Sequence, residues 1–143
     1  MTDKILWSDI YLIGIEEIDI QHKYLCKLIN LYLDKINGHL PEMDADELLD
    51  ELDRYVRWHF KCEEQLMKIY DIPDADDHKA EHADLLRMMQ DKRKLVKTGK
   101  NGHRVFLGFF DDWFTGHSFG FDGRLGRSMR EKWNPPMHTR CGM

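Results

Sequence analysis

The sequence predicts an all-α protein, an up-down-up-down antiparallel bundle of four helices. Three observations carry that prediction. Apolar residues recur at helical spacing in four long stretches, and no strand-like alternation competes with them. The stretches are separated by short breaks built from Asn, Gly and Pro, and short links favour antiparallel neighbours. Each stretch also carries histidine on its apolar side: His22, then His59 with Glu63, then His78 with His82, then His117 with Asp122.

The first helix shows its stripe in Ile18, Leu25, Ile29, Leu33 and Ile36, and His22 falls inside it, so His22 points into the core. Asn37-Gly38 supplies a stop and Pro41 a turn. The acidic run Glu42, Asp44, Asp46, Glu47 then suits the positive end of a second helix. That helix places Leu48, Leu52, Tyr55, His59, Cys62, Leu66 and Ile69 on one side, with Glu63 one turn from His59, and ends near Asp71. Pro73 is suited to open the third helix, where its missing N–H costs nothing, and Asp74, Asp76 and Asp77 favour the first turn. His78 and His82 stack on one face, continued by Leu85, Met89 and Val96 until the break at residues 98–102.

In the fourth helix Phe106, Phe110, Trp113, His117 and Phe121 lie within about a third of the circumference. His117 and Asp122 are five apart, which is about 140° on an ideal helix, so bringing both inward requires local widening toward a π turn. Glycines at 108, 116, 120 and 123 occupy the opposite side, each costing roughly 1 kcal/mol of helix stability relative to alanine. A partner helix, a second subunit or the chain's own tail fits such a face.

The 143 residues suffice for one domain with a real core, read as a bundle over residues 1–124 and a basic C-terminal tail over 125–143. The net charge of −5 is uneven: Arg124, Arg127, Arg130, Lys132 and Arg140 oppose Glu131 alone beyond Asp122, so the body is strongly acidic. An acidic body repels nucleic acid, and the tail holds no recognisable nucleic-acid module. The tail, with Trp133, Asn134-Pro135-Pro136, His138 and Cys141, has the choice of disorder, packing on the bundle or binding a protein partner. Met-Thr-Asp-Lys opens the chain with only short apolar runs nearby, so no membrane segment or leader is expected and a cytoplasmic protein is. Three cysteines without metal-finger spacing suit a reducing compartment. If His22 and His59 lie level on antiparallel helices, Cys26 and Cys62 sit roughly 10 Å apart and do not pair.

Taken singly, a histidine on an apolar stripe is more often a hydrogen-bonded core residue than a ligand. Five of them with two carboxylates reverse that reading and point to metal. Seven donors are too many for one tetrahedral zinc. If both carboxylates and one solvent-derived oxygen bridge two metals, each metal receives three oxygens. Five imidazoles then complete one octahedral iron and leave the second with a single vacancy for a small ligand. An oxygen-bridged pair of irons in the bundle core matches this donor count. Glu64, Cys26 and Cys62 read as ordinary surface and core residues, and His39, His103 and His138 as exposed residues outside the motif.

The order H…H-x-x-x-E…H-x-x-x-H…H-x-x-x-x-D resembles the hemerythrin family, and bacterial single-domain hemerythrins especially. Ile13-Gly14-Ile15-Glu16-Glu17-Ile18-Asp19-Ile20-Gln21-His22, Trp58-His59-Phe60, Glu63-Glu64, Pro73 and Asp112-Trp113 add to the likeness, which runs from about Trp7 to Asp122. The resemblance implies two Fe ions, oxo- or hydroxo-bridged, with His78, His82 and His117 on the saturated iron, His22 and His59 on the open one, and Glu63 and Asp122 bridging. It further implies that O2 binds end-on at the vacancy and is held as hydroperoxide, with release by reversal. An apolar pocket must exclude water and protons, for which Ile18, Trp113 and Phe114 are the candidates. Gln21, Asp19 and Asp112 are candidates to orient the ligating imidazoles.

Reversible O2 binding for storage, buffering or delivery is therefore the expected function. The alternatives are a sensor of O2, redox state or nitric oxide acting through a partner protein, and a reductase of peroxide or nitric oxide. The last needs a proton source and an electron donor, and the sequence identifies neither.

Overall fold

A computed structural model describes residues 12–98 and 101–132. Its elements are α1 (Glu16–Ile36), α2 (Ala45–Ile69), α3 (Ala75–Thr98), α4 (Gly102–His117), a π turn (Ser118–Asp122) and α5 (Gly123–Lys132). Consecutive long helices pack on one another and α1 closes against α4, giving the four-helix bundle that the periodicity predicts. No strand occurs among the described residues, and none of their helices is long and apolar enough to cross a membrane.

The breaks work through local backbone chemistry. At the end of α1, Gly38 takes φ +84°, and the amides of Gly38 and His39 donate back to Lys35 O and Asp34 O at 3.1 and 2.9 Å. This is the glycine-terminated turn that satisfies the last helical carbonyls. The end of α2 repeats the pattern with Asp71 at φ 50° and Ile72 N donating to Met67 O at 3.0 Å. Asp44 caps α2, its carboxylate accepting from Asp46 N at 2.9 Å. Pro73 lies two residues ahead of α3 rather than at its first position, and Asp74 O accepts the first helical bond, from His78 N. Between α3 and α4, Asn101 takes φ 63° and Gly102 sits so close to Leu95 O that a Cβ would overlap it.

Two apolar clusters result. The larger contains Leu25, Ile29, Tyr32, Leu52, Phe60, Phe106, Phe110 and Phe114. The smaller gathers Ile13, Ile15, Ile18, Leu66, Met67 and Ile72 with Leu125 and Met129 of α5. His22 lies between Ile18 and Leu25 on α1, and Glu63 between Phe60 and Leu66 on α2, so the polar residues are sandwiched between two dry layers.

Several expectations change here. Ile69, placed on the buried stripe from spacing, is 68% exposed at the end of α2. His103 is half-buried and hydrogen-bonded to the Tyr32 hydroxyl, not an exposed loop residue. The chain beyond Asp122 is helical to Lys132 and buries Leu125 and Met129, which is the packed alternative for the start of the tail. Residues 133–143, including Trp133, His138 and Cys141, lie outside the described residues. Cys26 is buried outside any disulfide and is therefore not joined to Cys62. Cys62 is likewise buried, as its place on the α2 stripe predicts.

Candidate metal centre

All seven side chains singled out from the sequence converge in the core, each between 0 and 3% exposed. α1 contributes His22, α2 contributes His59 and Glu63, α3 contributes His78 and His82, and α4 with its π turn contributes His117 and Asp122. The π turn is the widening that the five-residue spacing demands. It lets His117 and Asp122 face the same point, with His117 Nε2 2.9 Å from Asp122 Oδ1.

The donors form two groups that share both carboxylates. One is His78, His82 and His117 with Glu63 and Asp122; the other is His22 and His59 with the same two residues. Each carboxylate divides its oxygens between them. Glu63 Oε1 lies 2.9 Å from His82 Nε2 and 3.7 Å from His78 Nε2, while Oε2 lies 3.5 Å from His59 Nε2. Asp122 Oδ1 lies 3.1 Å from His78 Nε2, while Oδ2 lies 2.8 Å from His22 Nε2.

Both Glu63 oxygens, Asp122 Oδ2, and the Nε2 atoms of His82 and His117 are buried without a hydrogen-bond partner among the described residues, although several approach within 2.9 Å. Atoms that close, yet not aimed at one another, share a focus between them. Buried polar atoms in that state are costly, and a coordinated cation satisfies all of them at once. His22 Nε2 and His59 Nε2 stand 3.1 Å apart, and only one of two neutral rings can donate across that gap. The donor set thus fits a pair of metal ions.

Charges at the centre are strongly coupled. Burial and the Asp122 carboxylate push Glu63 up, but His59 and the close approach of His117 and His82 outweigh them and hold it at about 2. Burial also opposes ionisation of Asp122, yet His117, His22 and His78 hold it well below the usual range. Burial lowers His59 to about 4. His117 and His22 also feel burial, but Asp122 overrides it and raises both.

The outward Nδ1 atoms identify the orienting groups. Gln21 Oε1 lies 2.6 Å from His59 Nδ1, as expected for one of the candidates. Glu64, read from sequence as a surface residue, instead lies 2.8 Å from His82 Nδ1, and Glu81 stands 3.3 Å from His117 Nδ1 without a hydrogen bond between them. Asp19 is committed elsewhere, accepting from the amides of Ile13 and Gly14 at 2.8 and 3.2 Å. Asp112 lines the groove between α3 and α4. The available signal was adjacency, because Glu64 follows Glu63 and Glu81 precedes His82. Which histidine each reaches depends on a different helix.

The three candidates for an apolar pocket are buried but divided. Ile18 is one turn before His22, and the Phe114 ring meets His22 edge-on at 6.0 Å. Trp113 instead lies along His117 at 6.1 Å, on the three-histidine side. The glycine side of α4 and its π turn is open: among the described residues a Cβ at Gly108, Gly116 or Gly120 meets nothing, and Gly108 and Gly116 border an α3/α4 groove of about 570 Å³.

Residues 13–125 match the family model of the hemerythrin HHE cation binding domain. The chain belongs to the hemerythrin family. It is 30% identical to a bacteriohemerythrin of Pseudomonas paraeruginosa over 79% of this chain and 73% of that protein. It is 31% identical to a hemerythrin-like protein of Naegleria gruberi over 81% and 86%. A myohemerythrin of Theromyzon tessulatum is 27% identical over the same shares. The family is that of a cation binding domain, and the buried His/Glu/Asp cluster in this four-helix bundle is able to hold metal.

Proposed function

We propose that this hemerythrin domain holds two irons and binds O2 reversibly, for oxygen storage, buffering or delivery. The observation that carries the reading is the sharing of Glu63 and Asp122 between a three-histidine and a two-histidine group. Equal carboxylate provision with unequal imidazole provision leaves the His22/His59 side one donor short, and that side takes the exogenous ligand. The iron pair, when bound, supplies electrons to O2 and recovers them on release.

The chain's residues set the conditions for that exchange. His78, His82 and His117 would hold one ion, His22 and His59 the other, and Glu63 and Asp122 would be shared between them. Gln21 and Glu64 fix the orientation of His59 and His82 by accepting from their outer nitrogens. Ile18 and Phe114, both fully buried on the His22 side, keep water and protons away from bound ligand. Trp113 packs Phe60 and His117 on the opposite side.

The test is anaerobic reduction followed by alternate O2 and argon, with iron counted per chain. A visible absorption band that appears with O2 and vanishes under argon, at two irons per chain, is expected. Direct conversion to a stable oxidised spectrum with no oxygen-dependent band overturns reversible binding and favours redox sensing or reductase chemistry.

A further inference from the structure

The contacts made by α5 lie largely beyond the family-matched span, which ends at residue 125. α5 follows the π turn without a break, Gly123 taking φ −62° and ψ −41°, so Asp122 and α5 move as one piece. On its other side α5 grips the segment that leads into α1. Arg130 donates to Ile13 O and lies against Gly14, whose φ of +87° and missing Cβ leave room for the guanidinium. Gly126 packs so closely on Ile13 that a Cβ would overlap its carbonyl. Leu125 and Met129 are buried with Ile13, Ile15 and Ile18, and Ile18 is one turn from His22. Asp19 completes the grip by accepting from the amides of Ile13 and Gly14.

We propose that α5 is a latch whose closure is coupled to metal occupancy, joining Asp122 to the segment at residues 12–15. The inference rests on the reading of Asp122 as a metal ligand. A π turn carries a surplus residue, and its loss would rotate all that follows by about 100° and shift it by about 1.5 Å. Such a shift withdraws Leu125 and Met129 from their cluster and Arg130 from Ile13. The cation holds the wide form, because only that form turns both His117 and Asp122 inward. Without it, the buried oxygens and ring nitrogens that face one another lack a common partner, and the wide turn loses its main restraint. Coupling of this kind is reciprocal, so a weakened latch must also release metal more readily.

The test loads the full chain with Fe(II) anaerobically and follows iron loss to a strong chelator in wild type, Arg130→Gln and Gly126→Ala. Neither substitution touches a ligand. Each is expected to speed iron loss about fivefold or more, the lower end of ordinary coupling strengths. Amide exchange before and after chelation supplies the second readout: residues 12–15 and 123–132 should lose protection, while the Tyr32–His103 end keeps it. If both variants release iron at the wild-type rate while Asp122→Asn fails to retain it, the latch alone is overturned. If Asp122→Asn retains iron fully, the reading of the centre fails and takes the latch with it. Equal loss of protection throughout the chain also overturns the latch, since metal then supports the whole bundle and not this junction.

Discussion

Glu63 and Asp122 present the same division: one oxygen of each faces His78, His82 or His117, and the other faces His22 or His59. Each carboxylate therefore stands between the two histidine groups. Glu63→Gln and Asp122→Asn keep the shape but supply one anionic oxygen fewer. Each should lower bound iron from two per chain toward one or none, measured by metal analysis after gel filtration.

The orienting groups should act on affinity without changing the ligand count. Gln21→Ala frees His59 Nδ1 and Glu64→Ala frees His82 Nδ1. Loss of such partners typically weakens metal binding by about 10- to 100-fold. Competition with a chelator should show that loss for both variants, with Lys23→Ala, on the exposed side of α1, close to wild type.

Phe114 is fully buried against His22, and Phe114→Ala opens space beside the two-histidine position. The oxygenated form should decay faster in that variant, followed by the fading of its visible band. Truncation of a buried phenylalanine also costs about 3–5 kcal/mol of stability. Phe114→Leu, which retains most of the apolar volume, should preserve folding and most of the protection.

Metal uptake should release protons. Ligands bind deprotonated, whereas His117 and His22 are raised above the ordinary 6.5 in the metal-free chain, and Glu63 and Asp122 are already ionised. Affinity should therefore rise as pH climbs from 6.5 through the raised His117 value, because the competing protons leave. Falling pH should weaken uptake over the same window. Proton release on adding Fe(II) to weakly buffered protein tests this; a pH-independent affinity there would contradict the charge assignment.

Met129 lies wholly inside the smaller cluster, outside the family-matched span. Met129→Ala should cost about 2–5 kcal/mol, read as a lower denaturation midpoint. If α5 added nothing to the bundle, the midpoint would not move.

Periodicity made the four helices and the seven inward-facing side chains legible. Spacing within one helix is a local property: His59 with Glu63 and His78 with His82 share a face because four residues nearly complete a turn. The same rule exposed its exception at His117 and Asp122, where five residues overshoot and the backbone widens into the π turn. Ile69 defeated the pattern because the helix end runs past the layer that would cover it.

The sequence by itself determined the bundle, its punctuation, and which seven side chains face inward, since each follows from helical repeat and turn chemistry along one segment. Tertiary structure alone decided which carboxylate steadies which histidine, that Trp113 stands on the three-histidine side, that Tyr32 meets His103, and that α5 closes on Ile13. Those contacts depend on the relative height and rotation of two separate helices, and no spacing within either one encodes them.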